Sequence, residues 1–246
     1  MRLAVFADIH GNLEALQAVM LDWKEQRIDR YICLGDVVGY GANPNECVEF
    51  VRSLPNNITL LGNHDAAATW GETPYGMSQG AQRAIFWTME KLTTENSEFL
   101  KSLQPVREMG EMVFCHANPY NPKAWRYVNG KKYAARSFAG TAKRLIFVGH
   151  THKPLIVTRK NIFNIVFEYP GEPYVYAVGG LNRYIYNCGS VGQPRNGKPH
   201  ACYLIYDTRE QLLSFQRVEY DTQKAAAKII EAGLPAHLAR RLIAGI

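Results

Sequence analysis

The sequence predicts an α/β fold in which two packed β-sheets share one domain spanning residues 1–246. Three observations carry that expectation. Apolar extended runs alternate with helix-patterned segments through residues 1–65, which implies right-handed βαβ units and a mostly parallel sheet. After His152 the pattern changes to short β-rich runs separated by Gly, Pro and Asn, which implies an antiparallel or mixed sheet. No internal repeat, low-complexity tract or linker divides the 246 residues, a length sufficient for a sizeable core.

In order along the chain, "RLAVFADI" reads as a buried first strand. "NLEALQAVMLDWKEQ" reads as a helix opened by Asn12, with an apolar stripe on Leu13, Leu16, Val19 and Met20. "RYICLGD" is a second strand, "PNECVEFVRSL" a helix whose first turn suits Pro44, and "ITLLGNHD" a third strand. Gly80 to Leu103 is helical in pattern and carries Phe86, Trp87 and Met89. "EMVFCHA" and "RLIFVGHTH" are two further apolar runs, each ending in histidine. The later strands are "LIVTR", "FNIVFEYP", "YVYAV", "NRYIYNCGS", "ACYLIYDT" and "LLSFQRVEY". From Thr222 two small helices follow, separated near Gly233 and Pro235, with docking on the sheet and a subunit contact both open to them.

Composition narrows the class. A hydrophobic share of 47% with 20% charged residues is ordinary for a soluble globular chain. No apolar run approaches the ~20 residues that span a bilayer. The N-terminus has neither the apolar length nor the small-residue cleavage site of a signal peptide. The five cysteines are scattered, form no Cys-x-x-Cys pair, and in three cases (Cys33, Cys115, Cys202) sit in strand-like runs. They read as reduced core thiols, which predicts a cytoplasmic location. The balance of 28 basic to 22 acidic residues, +6, suits an anionic substrate, and equally a solvated surface of mild basic excess. The longest basic cluster, around Lys131 and Lys132, is too short and broken for a nucleic-acid arm, and no nucleic-acid partner is expected.

Polar residues interrupt the carboxyl ends of the expected strands in a regular way: Asp8 and His10, Asp36, Asn63 and His64, His116, then His150 and His152. Ligand sites of open α/β sheets form beyond those ends. Of the seven histidines only His200 and His237 fall outside the set. Any one motif alone is commonplace, since Asp-x-His is more often a turn aspartate beside a hydrogen-bonded core histidine. In order, they form a carboxylate and imidazole donor set suited to a pair of divalent ions such as Mn, Fe, Zn, Ni or Mg, with Mn favoured. The i, i+2 spacing of Asp8/His10 and of His150/His152 is expected to send both side chains to one side of an extended segment. Asp36 has the two oxygens needed to bridge two ions. Gly11, Gly35, Gly62 and Gly149 permit tight turns beside these residues.

With these motifs the chain resembles the calcineurin-like metallophosphoesterases. The matching residues run from Asp8 to His152, and the strand-rich remainder fits that family's second sheet. "GDVVGYGANPNEC" and "NCGSVGQPRNG" resemble its small prokaryotic diadenosine-tetraphosphatase-like or phosphodiesterase-like branch. The resemblance implies a four-layer α-β-β-α sandwich with a dimetal site at strand carboxyl ends. It also implies roles: Asp8, His10 and His152 on one metal, Asn63, His116 and His150 on the other, and Asp36 shared. His64 would face the substrate and stabilise or protonate the leaving oxygen, with Asp65 orienting its ring. Two metals about 3.5–4 Å apart activate a bridging hydroxide for in-line attack and clamp the phosphoryl oxygens. A small phosphomonoester or phosphodiester, nucleotide-like or not, is the expected substrate.

Arg195, in the glycine-rich "GSVGQPRNG", is a candidate phosphate contact or a plain turn residue. Tyr40 and Asn43 either wall the site or cap the helix at Pro44. Trp70, Tyr75, Tyr120 and Trp125 either stack on a base or pack at the rim. The stretches from Thr69 to Gly80 and from Tyr120 to Lys132 are expected to wall the substrate. A protein serine/threonine phosphatase is the enzymatic alternative, since such enzymes resemble this chain, but they usually carry Arg-Gly-Asn-His-Glu where it has Leu61-Gly62-Asn63-His64-Asp65, without the arginine. A non-catalytic scaffold of the same fold is the other alternative, and the complete donor set argues against it.

Overall fold

The first strand, β1 (Arg2–Phe6), shows why the chain must layer. Leu3 and Val5 pack into one apolar cluster, Ala4 and Phe6 into another, and all four are fully buried. A strand buried on both faces has to lie between two apolar layers. The computed structural model describes residues 1–71, 77–171 and 174–246.

The chain continues through α1 (Leu13–Gln26), β2 (Arg30–Cys33), α2 (Pro44–Ser53), β3 (Asn57–Thr59), α3 (Asn63–Trp70), α4 (Gln79–Lys91), α5 (Thr94–Ser102), β4 (Val106–Met109) and β5 (Met112–Cys115). Then come α6 (Lys131–Ala139), β6 (Leu145–Val148), β7 (Leu155–Arg159), β8 (Ile165–Glu168), β9 (Val175–Ala177) and β10 (Arg183–Asn187). The last elements are β11 (Ala201–Asp207), β12 (Leu212–Val218), α7 (Thr222–Glu231) and α8 (Ala236–Ala244). Two mixed six-stranded sheets result, ordered β3-β2-β1-β11-β12-β9 and β4-β5-β6-β10-β7-β8. Between them lies one core that includes Leu3, Leu204, Phe114, Phe147 and Tyr186. The outer face of the first sheet is covered by α1, α2, α3 and α5, and that of the second by α6 through Ala134 and Phe138.

Local sequence accounts for the helix starts. Asn12 Oδ1 accepts the Ala15 N–H at 3.1 Å and opens α1, while Pro44 occupies the first turn of α2. Three differences from the sequence reading concern assembly. "ITLLGNHD" is not one strand: β3 ends at Thr59, Leu60 makes a single bridge to Gln104, and Asn63 already begins α3. The strand-rich remainder does not form one sheet of its own. Instead β7, β8 and β10 join the second sheet, while β9, β11 and β12 complete the first, β11 pairing antiparallel with β1. Lys131–Ala139, seen in sequence only as a basic cluster, is helix α6.

Within the first sheet β1, β2 and β3 run parallel, and within the second β5, β6 and β10 do. The segments after these six strands therefore leave each sheet at one end. They meet where Val191 N–H donates to Ala7 O at 3.0 Å and His150 N–H donates to Asp8 Oδ2 at 2.9 Å.

Candidate metal centre

Asp8 and His10 follow β1, Asp36 follows β2, Asn63 and His64 open α3, His116 follows β5, and His150 and His152 follow β6. All eight are buried. The backbone there is not extended as the i, i+2 spacing suggested. Asp8, His10, Asp36, His150 and His152 all have left-handed φ values, from 52° to 66°. Each costs on the order of 1 kcal/mol for a non-glycine residue and persists only where the surroundings impose it. Here the turns after β1 and β2 are tied rung by rung: Asp8 N–H to Gly35 O, His10 N–H to Asp36 O and Gly11 N–H to Val37 O, at 2.9–3.0 Å. Gly35, at φ 103°, lets the Asp36 turn pass against the backbone of Leu61 and Gly62.

Each carboxylate divides its oxygens. Asp8 Oδ2 accepts the His150 N–H and Asp36 Oδ1 accepts the His64 N–H at 2.8 Å. The other oxygens, Asp8 Oδ1 and Asp36 Oδ2, are buried with no hydrogen-bond partner. Asp8 Oδ1 faces His152 Nε2 at 3.4 Å and His10 Nε2 at 3.7 Å. Asp36 Oδ2 faces His116 Nε2 at 3.3 Å and His10 Nε2 at 3.7 Å, which places it between two groups of donors.

The imidazoles repeat this division. His10 Nδ1 bonds Val38 O at 3.1 Å, His116 Nδ1 bonds Leu34 O at 3.1 Å, His152 Nδ1 bonds Gln193 O at 2.6 Å and His150 Nε2 bonds Trp125 O at 2.8 Å. A carbonyl only accepts, so these nitrogens carry the protons, and wherever the ring is neutral the opposite nitrogen offers a lone pair. Those lone pairs converge: His10 Nε2 on His152 Nε2 at 3.2 Å, and His116 Nε2 on His150 Nδ1 and on Asn63 Oδ1, both at 3.1 Å. Acceptors so close repel unless a cation or proton lies among them. The residues thus fit metal ions in two neighbouring groups, Asp8/His10/His152 and Asp36/His116/His150, with the outer nitrogens fixed by backbone carbonyls as metal-binding histidines require. His64 also comes within reach of His10 and Asp36.

Without a metal the charges are strongly perturbed. Burial, reinforced by Asp36, pushes the Asp8 carboxyl up to about 7. Burial also raises Asp36, but the His116, His64 and His10 rings outweigh it and hold that carboxyl well below its ordinary value. His116 shows the reverse: burial lowers it, yet Asp36 and Asp8 bring it up to about 9. Burial lowers His150 to about 3 and His64 to about 4, and holds His10 and His152 well below their ordinary value.

Residues 1–211 match the sequence model of the calcineurin-like phosphoesterase superfamily domain. The chain belongs to that superfamily. It is 40% identical over 247 residues to the uncharacterized protein MJ0912 of Methanocaldococcus jannaschii, the match covering 99% of this chain and 98% of the relative. A metallophosphoesterase structure from Sphaerobacter thermophilus is 40% identical with a TM-score of 0.90, covering 100% of this chain and 99% of that one. The hypothetical protein PH1004 of Pyrococcus horikoshii, at 22% identity and a TM-score of 0.79 over 100% and 98% of the two chains, shares the fold.

One residue departs from the arrangement that the superfamily resemblance implied. Asp65 does not orient the His64 ring. Its carboxylate accepts four backbone N–H groups instead, from Asp36 (2.7 Å), Val37 (2.9 Å), Val38 (3.1 Å) and Gly62 (3.0 Å), while His64 Nδ1 is buried without a partner. Burial and Asp36 push Asp65 up to about 7, and the N–H donors oppose that shift because a proton on either oxygen would displace one of them. The His64 ring is placed by packing on Tyr40 and on His10, at centroid distances of 4.5 and 4.7 Å.

Above the cluster opens a cleft of about 770 Å³ whose lining includes Asn63, His64 and His150. Of the further candidates, Arg195, Tyr40 and Trp125 line it, and so do Met77 and Ser78 from the stretch expected to form a wall. Trp70 sits outside that lining under Lys123, Tyr120 packs against Gly140, and Tyr75 lies outside the described residues. Asn43 neither walls the cleft nor caps α2 with its side chain; it bonds Glu46 and Lys228. Sequence reasoning missed Tyr127, which stacks on His150 at 4.2 Å, and Arg241 of α8. Tyr127 lies in a loop already expected to form a wall. No sequence signal marks Arg241, because only the docking of α8 brings it to the cleft.

Proposed function

We propose that this chain is a single-domain, dimetal-dependent phosphoesterase that hydrolyses a small phosphomonoester or phosphodiester, nucleotide-like in character. The observation that carries the reading is the pair of buried carboxylate oxygens, Asp8 Oδ1 and Asp36 Oδ2, each turned toward inner imidazole nitrogens. On this reading Asp8, His10 and His152 would hold one ion and Asn63, His116 and His150 the other, with Asp36 facing both groups of donors. Mixed oxygen and imidazole donors suit Mn²⁺, Fe²⁺ and Zn²⁺, of which Mn²⁺ is the favoured ion here. Bound divalent ions supply neutralisation of phosphoryl charge and activation of water. The protein's own groups do the rest. Asn63 orients the reacting phosphate, and Arg195 contacts the substrate. His64 is neutral in the free protein, and the arriving phosphate dianion supplies the negative charge that favours its protonated form. It then donates to the departing oxygen, a contribution of ~10²–10⁴-fold. Asp65 holds the Asp36–Val38 turn. Five buried free thiols support a reducing, cytoplasmic setting.

Hydrolysis of p-nitrophenyl phosphate and its bis-ester with Mn²⁺ tests the reading. Turnover of either supports it, and preference for the bis-ester assigns a phosphodiesterase. Negligible turnover of both, unchanged in His64→Ala, would favour a scaffold. Asn63→Ala is expected to weaken one metal, whereas His64→Ala keeps both metals and loses rate. Metal content measured alongside turnover separates the two roles.

A further inference from the structure

Positive side chains gather around the cleft. Lys123, Arg126, Arg195 and Arg241 line it, and no aspartate or glutamate does among the described residues. Arg195 gives Nη2 to neutral acceptors, Gln193 Oε1 at 2.8 Å and Tyr40 OH at 3.4 Å, and its Nε is buried without a partner. Arg241 gives Nε to Ile246 O at 2.9 Å, an oxygen of the last residue's carboxyl group, which offsets part of its charge and leaves the rest of the guanidinium to the cleft. Neither guanidinium is paired with an acidic side chain among the described residues. They lie near enough that burial and Arg195 lower Arg241, with Tyr40 between them. Two like charges held together in a concave site are stabilised by an anion that accepts from both.

Their proximity is built in. The Arg195 loop and the end of α8 are joined by the Gly197 N–H to Gly245 O bond at 2.9 Å. Gly245 has φ 66°, and a side chain there would meet the Lys198 backbone at 2.6 Å. At its other end the C-terminal helix pair is anchored on α1 by Lys228 and Glu14, 2.6 Å apart. Arg241 therefore reaches the cleft from beyond residue 211, where the superfamily match ends.

We infer that Arg195 and Arg241 form a second anion subsite beside the metal centre, so that the preferred substrate carries a further phosphate group besides the one hydrolysed. This rests on the phosphoesterase reading and deepens it, since it names a doubly phosphorylated substrate class.

The test compares adenosine 5′-monophosphate with adenosine 5′-diphosphate and adenosine 3′,5′-bisphosphate on the Mn²⁺-loaded protein, by phosphate release and by calorimetric binding. At least one two-phosphate compound is expected to exceed the monophosphate in kcat/KM and in affinity by roughly tenfold or more, the scale of a charged hydrogen bond. Arg241→Gln is expected to remove most of that ratio, chiefly through KM, and Arg241→Lys to restore part of it. Gly245→Val, which keeps both arginines but forces α8 from the loop, is expected to lower the ratio as well. A wild-type ratio near one, or an unchanged ratio in Arg241→Gln, overturns the subsite. Absence of turnover on these compounds and on p-nitrophenyl phosphate, with an Arg241-dependent binding preference intact, overturns the hydrolase reading alone.

Discussion

Five non-glycine residues held in left-handed backbone around one cluster are a concentration of local strain, and the hydrogen bonds that impose it identify the residues that maintain the site. Asp65 is the clearest case, because one side chain serves four N–H groups of two loops. Asp65→Asn replaces an acceptor with a donor that faces donors, leaving buried N–H groups unmatched at ~1–3 kcal/mol. A lower urea midpoint is expected, together with weaker metal binding through the displaced Asp36; an unchanged midpoint would refute the positioning role. His116 contributes one pH dependence, beside those of Asp8 and Asp65. Its raised value means that its contribution to stability of the metal-free fold is complete below about 6.5 and is lost as pH climbs through about 9. A cation at Nε2 must displace that same proton, so affinity should weaken on acidification below about 9, by up to tenfold per unit for that one proton. Calorimetric Mn²⁺ titrations in buffers of different ionisation enthalpy should show proton release that increases from pH 9 to 7.5.

At the scale of elements, strands serve as the frame and the segments after them carry the chemistry. Among the described residues, only the segments following parallel strands contribute to the candidate metal cluster, and a carboxyl-end position is what those residues share. The C-terminal helices act differently, as a bracket that reaches the cleft through Arg241. Their anchor on α1 is the pairing of Lys228 with buried Glu14, an ion pair whose angle is not that of a hydrogen bond. Lys224 also approaches Glu14, at 3.6 Å, and Lys228 is partly exposed, so the loss in Lys228→Met should be modest, about 1 kcal/mol. Chemical denaturation measures it. A loss several times larger would mean that Lys228 alone compensates the buried carboxylate.

For the whole molecule, the candidate centre lies where the two sheets meet, with Asp8, His10 and Asp36 from one and His116, His150 and His152 from the other. Ions held there link the sheets, and binding to the folded state adds stability of about 2.7 kcal/mol at a free metal concentration one hundred times Kd. Treatment with a chelator should lower the melting temperature, and Mn²⁺ should restore it. A melting temperature indifferent to both would show that the cluster holds no ion of consequence.

The sequence alone determined most of the element types, though not helices α3 and α6, and it named the candidate donors. Strand alternation, helix caps and polar residues at strand ends are local features, readable wherever the chain's own neighbours set the physics. Asp8, His10, Asp36, Asn63, His116, His150 and His152 were therefore visible as candidates before any packing was known. Only the tertiary structure decided that β11 inserts beside β1, that the ligand-bearing turns are left-handed rather than extended, that Asp65 serves the backbone rather than His64, and that Arg241 meets Arg195. Each of these depends on contacts between segments far apart in the chain, whose geometry follows from the burial of whole faces rather than from any local pattern.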